Sequence, residues 1–214
     1  MAGSRTGDVV YVEGRDDKHV IGHLLIRRGA DPEGRLGFVD SRGKQGVLDA
    51  IRVAVGAGTG RSVGFVLDAN DDPDATWRAV GSRLRRAGVD APDRIPQDGF
   101  VGESAEFGTR VGVWLMPDNR RTGALEDFLK DLIEVGDRLL PHAEASTAGA
   151  KELGARFPSV DTKKAVLHTW LAWQREPGRP YGVAIKAHYL RDDSDAARRF
   201  VLWFGRVFGI PEGG

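Results

Sequence analysis

With 214 residues, 41% of them hydrophobic and 29% charged, the chain has the composition of an ordinary soluble globular protein and not of a disordered one. Its 31 basic and 31 acidic residues cancel, so no net positive field announces a polyanionic partner, although a basic stripe offset by acids gathered elsewhere is compatible with that balance. The absence of cysteine excludes disulfides, thiolate catalysis and cysteine-ligated zinc.

Val9-Val10-Tyr11-Val12 is short, β-branched and aromatic, and reads as a buried strand ending at Glu13-Gly14. Helical spacing follows from Asp16 to Arg28, with Val20, Ile21, Leu24 and Leu25 on one face. A second strand is expected over Arg35–Asp40 and a second helix over Gly46–Val55, where Val47, Ile51 and Val55 recur one turn apart. The loop Gly56–Gly60 delivers a third buried strand, Ser62–Leu67, which ends on Asp68. Pro73 suits a first helical turn and opens a helix to Arg86. Residues 89–109, rich in Pro and Gly, suit a loop or an inserted hairpin. A fourth strand, Val111–Met116, stops at Pro117-Asp118-Asn119, and Leu125–Ile133 is helical.

After Gly136 the pattern becomes wholly helical, over 138–153, 161–175 and 193–208, with Pro177-Gly178-Arg179-Pro180 breaking the last two apart. The aromatic residues Trp170, Trp173, Phe200, Trp203, Phe204 and Phe208 concentrate there. The β-α-β-α alternation predicts an α/β fold with a four-stranded, mainly parallel sheet covered by helices on both faces. Residues 1–135 are expected to form this domain, and residues 136–214 a helical extension packed on it. Residues 1–8 carry no signal-peptide run, and no stretch has the length of a membrane span. A cytoplasmic protein without membrane contact is the expectation.

In an open parallel sheet, ligands bind beyond the carboxyl ends of the strands. Two strands here end on carboxylates, Glu13 and Asp68. Asp17 lies four residues past Glu13, so one helical turn can return it to the same edge. Asp68-Ala69-Asn70-Asp71-Asp72 adds further oxygens in one short loop. Hard cations such as Mg2+ and Mn2+ take such ligands, and massed acids are most easily neutralised by a bound metal. Against this stands an ordinary role: an Asp at a strand end often caps a helix, and Asp72 before Pro73 is a credible N-cap.

Other signals fail on their spacing. Asp68-x-Asn70-x-Asp72 opens like an EF-hand loop, but Pro73 and Ala79 occupy the positions of its Gly and Glu. His19 and His23 are four apart on a helix but lack the intervening Glu of a metalloprotease. Gly56-x-Gly58-x-Gly60 follows a helix and precedes a strand, the wrong order for a dinucleotide loop. His142, His168 and His188 have no nucleophile elbow near them. The C-terminal aromatic residues read as core, with an exposed Trp able to stack on a base.

Val12-Glu13-Gly14-Arg15-Asp16-Asp17 resembles the first motif of the toprim domain, a hydrophobic strand followed by Glu-Gly-x-x-Asp, and Phe65-Val66-Leu67-Asp68-Ala69-Asn70 resembles the second, a strand followed by Asp-x-Asp. The helix-strand-helix between them matches, and the likeness spans residues 8–130. Gly112–Asn119 with Gly123–Asp127 looks most like small stand-alone toprim-related bacterial proteins of unknown function, close to the OLD-family nucleases. That resemblance implies Mg2+- or Mn2+-dependent phosphodiester hydrolysis of DNA or RNA. Glu13 and Asp68 would be catalytic, and Glu13, Asp17, Asp68, Asn70, Asp72 and Glu126 would bind metal, with Glu126 standing for the additional acid after the fourth strand. Asn70 departs from the motif, bringing an amide oxygen where a second aspartate belongs. Lys18, Arg120, Arg121, Lys163 and Lys164 are candidate phosphate contacts. The other expectation is a non-catalytic toprim-like module that binds nucleic acid or a protein partner such as an ATPase. A homo-oligomer fits either.

Overall fold

The computed structural model describes residues 7–29, 34 and 36–210. Five strands form one sheet: β1 (Asp8–Val12), β2 (Leu36–Asp40), β3 (Ser62–Asp68), β4 (Phe100–Glu103) and β5 (Arg110–Met116), in the spatial order β2-β1-β3-β5-β4. The first four in that order run parallel, with Val12 opposite Asp40 and Asp68 opposite Met116. The architecture is α/β and mostly parallel. The expected fourth-strand boundary at the sheet edge is corrected, because β4 adds a fifth, antiparallel strand, pairing Phe100 with Val113. It lies in the segment read as a loop or hairpin and has only four residues, too few to show a period. The Trp203 indole N–H donates to the Phe100 carbonyl at 3.0 Å, and Gly99, at φ +77°, leaves room for the Trp203 ring. The start of the second strand at Arg35 lies outside the described residues.

Side chains alternate across the sheet and build two apolar layers. Phe65, Leu67, Val113 and Leu115 face helices α2 (Lys44–Ala57) and α3 (Pro73–Arg86), meeting Val47, Ile51, Trp77 and Leu84. Val10, Val12, Val66, Trp114 and Met116 point the other way. There they meet α1 (Arg15–Arg27), α4 (Leu125–Lys130), α5 (Leu139–Glu152), α6 (Thr162–Ala172), α7 (Tyr181–Lys186) and α8 (Asp195–Phe208). Helix α4 stops at Lys130, short of the expected Ile133, and α7 follows Pro180 in a stretch where no helix is expected.

The C-terminal helices complete the core. Phe200, Trp203, Phe204 and Val207 of α8 are buried in the same cluster as Val66 and Trp114 of the sheet. Glycine on two strands permits this approach: a Cβ at Gly112 would stand 2.2 Å from Val207, and one at Gly64 would stand 2.8 Å from Phe208. Of the aromatic residues, Trp173 is the more exposed and stacks on His142 with ring centroids 5.0 Å apart. Among the described residues no helix is long and apolar enough to cross a membrane.

Candidate metal centre

Because β1 and β3 are parallel neighbours, their carboxyl ends deliver Glu13 and Asp68 to one edge of the sheet. The two are joined directly: Glu13 Oε1 accepts a hydrogen bond from the Asp68 backbone N–H at 2.9 Å. Asp17, one turn into α1, is 8% exposed, and its Oδ2 accepts from the Gly14 N–H at 3.0 Å. Asp68 Oδ1 accepts from the Leu125 N–H at 2.9 Å. Each of these carboxylates is thus oriented by a backbone donor.

Glu126 arrives by a different route. After β5 the chain turns through the cis Met116-Pro117 bond, and Asp118 gathers the Arg120 and Arg121 N–H groups and the Arg121 guanidinium. Farther on, Asn70 and Gly123 exchange backbone hydrogen bonds of 2.7 Å each way, stapling this loop to the one after β3. Gly123 has φ +141°, and a Cβ there would lie 2.4 Å from Asp127 Oδ2, so a larger residue does not fit the staple. Two residues on, Leu125 is held against Asp68 in consequence, and Glu126 follows, its charge felt by Asp68.

Burial and mutual repulsion govern the charges. Burial, then the Glu13, Asp17 and Glu126 charges, push Asp68 up to about 8. Burial and the Glu13 charge push Asp17 up to about 7, with a smaller contribution from Glu126. Glu13 is raised as well, because burial outweighs the N–H groups of Asp68 and Lys44 and the Lys44 ammonium. Among the described residues no three acidic or imidazole side chains converge into a ready-made metal cage. Asp17 and Asp68 each feel the charges of Glu13 and Glu126, and a cation would have to draw the four together. Their chemistry fits a hard cation, being all oxygen, partly desolvated and short of positive charge.

The other sequence-selected residues stand apart from this group. Asn70 is exposed with φ +55°, a left-handed conformation that Asn tolerates, and its backbone serves the staple. Asp72 caps α3, accepting from the Ala75 N–H at 2.7 Å, and approaches Arg78 at 3.8 Å. Lys163 pairs with Asp127 at 2.8 Å and Lys164 with Asp16 at 3.8 Å, so α6 clips the neighbours of Glu126 and Asp17 at the rim of the site. Arg121 is engaged by Asp118 and Asp131. Lys18 and Arg120 are exposed.

Two residues at the site carry no sequence signal. Lys44 opens α2, reaches Thr76 Oγ1 at 2.5 Å, and is the cation that Glu13 feels. Tyr181, 3% exposed, feels the charges of Glu126 and Asp16. The chain matches no curated protein and no solved structure significantly. One family model, described as a protein of unknown function, DUF3226, matches residues 7–209. The match takes in β1 to β5 and α1 to α8 of the described residues, and the chain belongs to the DUF3226 family.

Proposed function

We propose that the chain binds Mg2+ or Mn2+ through Glu13, Asp17, Asp68 and Glu126, and hydrolyses phosphodiester bonds in DNA or RNA as a toprim-like protein near the OLD nucleases. The observation that carries the reading is the gathering of these carboxylates at the carboxyl edge of a parallel sheet, with Asp17 and Asp68 both raised by burial and like charge. When bound, the ion supplies an activated water and positive charge for the scissile phosphate. Glu13 and Asp68 would hold the ion from the two strand ends, and Asp17 and Glu126 would complete its charge. As the alternative to holding the ion, Glu13 would act as general acid or base at its carboxylate.

Incubation with DNA and with RNA in Mn2+, beside a Glu13→Ala control, tests this. Cleavage that disappears in the variant is the expected result. No cleavage, together with no calorimetric heat for Mg2+ or Mn2+, overturns the proposal.

One observation favours the second reading, a non-catalytic toprim-like module that binds a protein partner. Lys163, Lys164 and Arg121, all candidate phosphate contacts, are already paired with the chain's own acids. That leaves less free positive charge for a polyanion. Metal binding without cleavage of either nucleic acid is its signature.

A further inference from the structure

Helix α7 supplies a group that the metal reading leaves without a task. The Tyr181 side chain is buried, and among the described residues its hydroxyl has no hydrogen-bond partner. A buried hydroxyl left unsatisfied costs about 1–3 kcal/mol, so its position calls for a reason. Its ring is held firmly, stacked on His168 with centroids 5.0 Å apart and planes 23° from parallel. Its approach to the acidic site is also specific. Gly182 follows it in α7, and a Cβ there would stand 2.7 Å from the His23 ring and 2.8 Å from the His19 carbonyl. Glycine therefore lets α7 close on α1, the helix that carries Asp17, and His168, on which Tyr181 stacks, lies one turn past Lys164, which pairs with Asp16 beside Asp17 at 3.8 Å.

We infer that Tyr181 is a ligand-binding residue of the acidic site, its phenol O–H donating a hydrogen bond to an oxygen of the phosphate group that the metal-loaded carboxylates receive. The inference rests on the metal reading above. A carboxylate cluster repels a phosphate unless a cation lies between them. A neutral donor beside the cluster then contributes what further acids cannot. Burial and the neighbouring carboxylates keep the phenol protonated, which suits a donor and not a nucleophile.

The test uses the full chain and its Tyr181→Phe variant, which keeps the ring and its stack on His168. Mg2+ is titrated by calorimetry, and inorganic phosphate is then titrated into the Mg2+-loaded protein. The expected result is Mg2+ affinity within twofold of wild type, an unchanged or higher melting temperature without ligand, and phosphate affinity about tenfold weaker. If wild type binds no Mg2+, the titrations are run with Mn2+; if it binds neither ion, the metal reading fails and the inference with it. If wild type binds Mg2+ and either takes up no phosphate or takes it up as tightly as the variant does, the inference alone is overturned. A melting temperature lowered by several degrees in the variant also overturns it, since the hydroxyl would then serve the fold.

Discussion

The Leu125 N–H donates to Asp68 Oδ1 at 2.9 Å, tying the end of β3 to the first residue of α4. The same carboxylate is raised by burial and by the charges of Glu13, Asp17 and Glu126, and its two attributes can be separated by substitution. Asp68→Asn keeps an oxygen for Leu125 and removes a carboxyl whose ionisation in the fold is disfavoured by burial and by the charges of Glu13, Asp17 and Glu126, whereas the unfolded chain ionises it freely. The metal-free variant is expected to be more stable than wild type by about 1 kcal/mol. Its Mg2+ or Mn2+ affinity is expected to fall at least tenfold on the proposed reading. Asp68→Ala instead orphans the Leu125 N–H and is expected to be about 1–3 kcal/mol less stable than Asp68→Asn. Thermal unfolding in a chelator, with calorimetric metal titration, distinguishes the pair; equal stability for both variants would contradict the assigned role of the hydrogen bond.

Stability of the metal-free chain should fall as the pH rises. Asp17 and Asp68 titrate near about 7 and about 8 in the fold, above the ordinary value of 3.8 for each. Between those limits the native state holds protons that the unfolded chain has released, so the slope of unfolding free energy against pH is negative. Their contribution is fully present below about pH 4 and is lost as the pH passes through 7 to 8. Because a metal displaces these protons, the Mg2+-induced rise in melting temperature is expected to be larger at pH 8 than at pH 6. Melting curves of wild type against an Asp17→Asn/Asp68→Asn double variant isolate the effect. A difference between the two that does not change over this window would refute it.

Much of the framework was legible because the signals are local. Val9–Val12 and Ser62–Leu67 are dense apolar runs that stop on acids, and parallel pairing then brings Glu13 and Asp68 to one edge. Strand β4 was not legible, since four residues of mixed burial show no period, and its placement depends on Trp203, 103 residues from its hydrogen-bond partner Phe100. Asp72 was ambiguous in kind: the same carboxylate beside Pro73 suits a metal or a helix cap, and its oxygen accepts from Ala75. Lys44 and Tyr181 gave no signal because what distinguishes them is the company they keep across the fold. Lys44 is one of 31 basic residues, and Tyr181 opens a six-residue helix too short for a face to be read.

The contact of α8 with the sheet can be tested at Gly112. An added Cβ would meet Val207 at 2.2 Å and 2.9 Å and Trp203 at 3.1 Å, all side chains already fully buried. Gly112→Ala is expected to cost about 2–3 kcal/mol through overpacking, and to lower the melting temperature by about 5 °C or more. Gly22→Ala is the control, because nothing lies within 4 Å of the Cβ it would add. A small cost at Gly112, comparable with that at Gly22, would mean that α8 can slide on the sheet.

Lys44 should make the pH dependence of metal binding cross over. Its ammonium favours the ionised form of Glu13, which helps a cation displace the proton, yet the same charge repels the cation. Lys44→Met removes both effects. Thr76 Oγ1 loses the Lys44 donor at 2.5 Å but still donates to the Ala69 carbonyl at 3.0 Å, so the local fold is expected to persist. At low pH the variant should bind Mg2+ more weakly than wild type, because Glu13 holds its proton more tightly. At high pH, with the carboxylates ionised, it should bind more tightly, since one repelling charge is gone. Calorimetric titration across this range should give two affinity curves that intersect. Parallel curves would separate Lys44 from the metal centre and leave it as a helix-to-helix tie between α2 and Thr76 of α3.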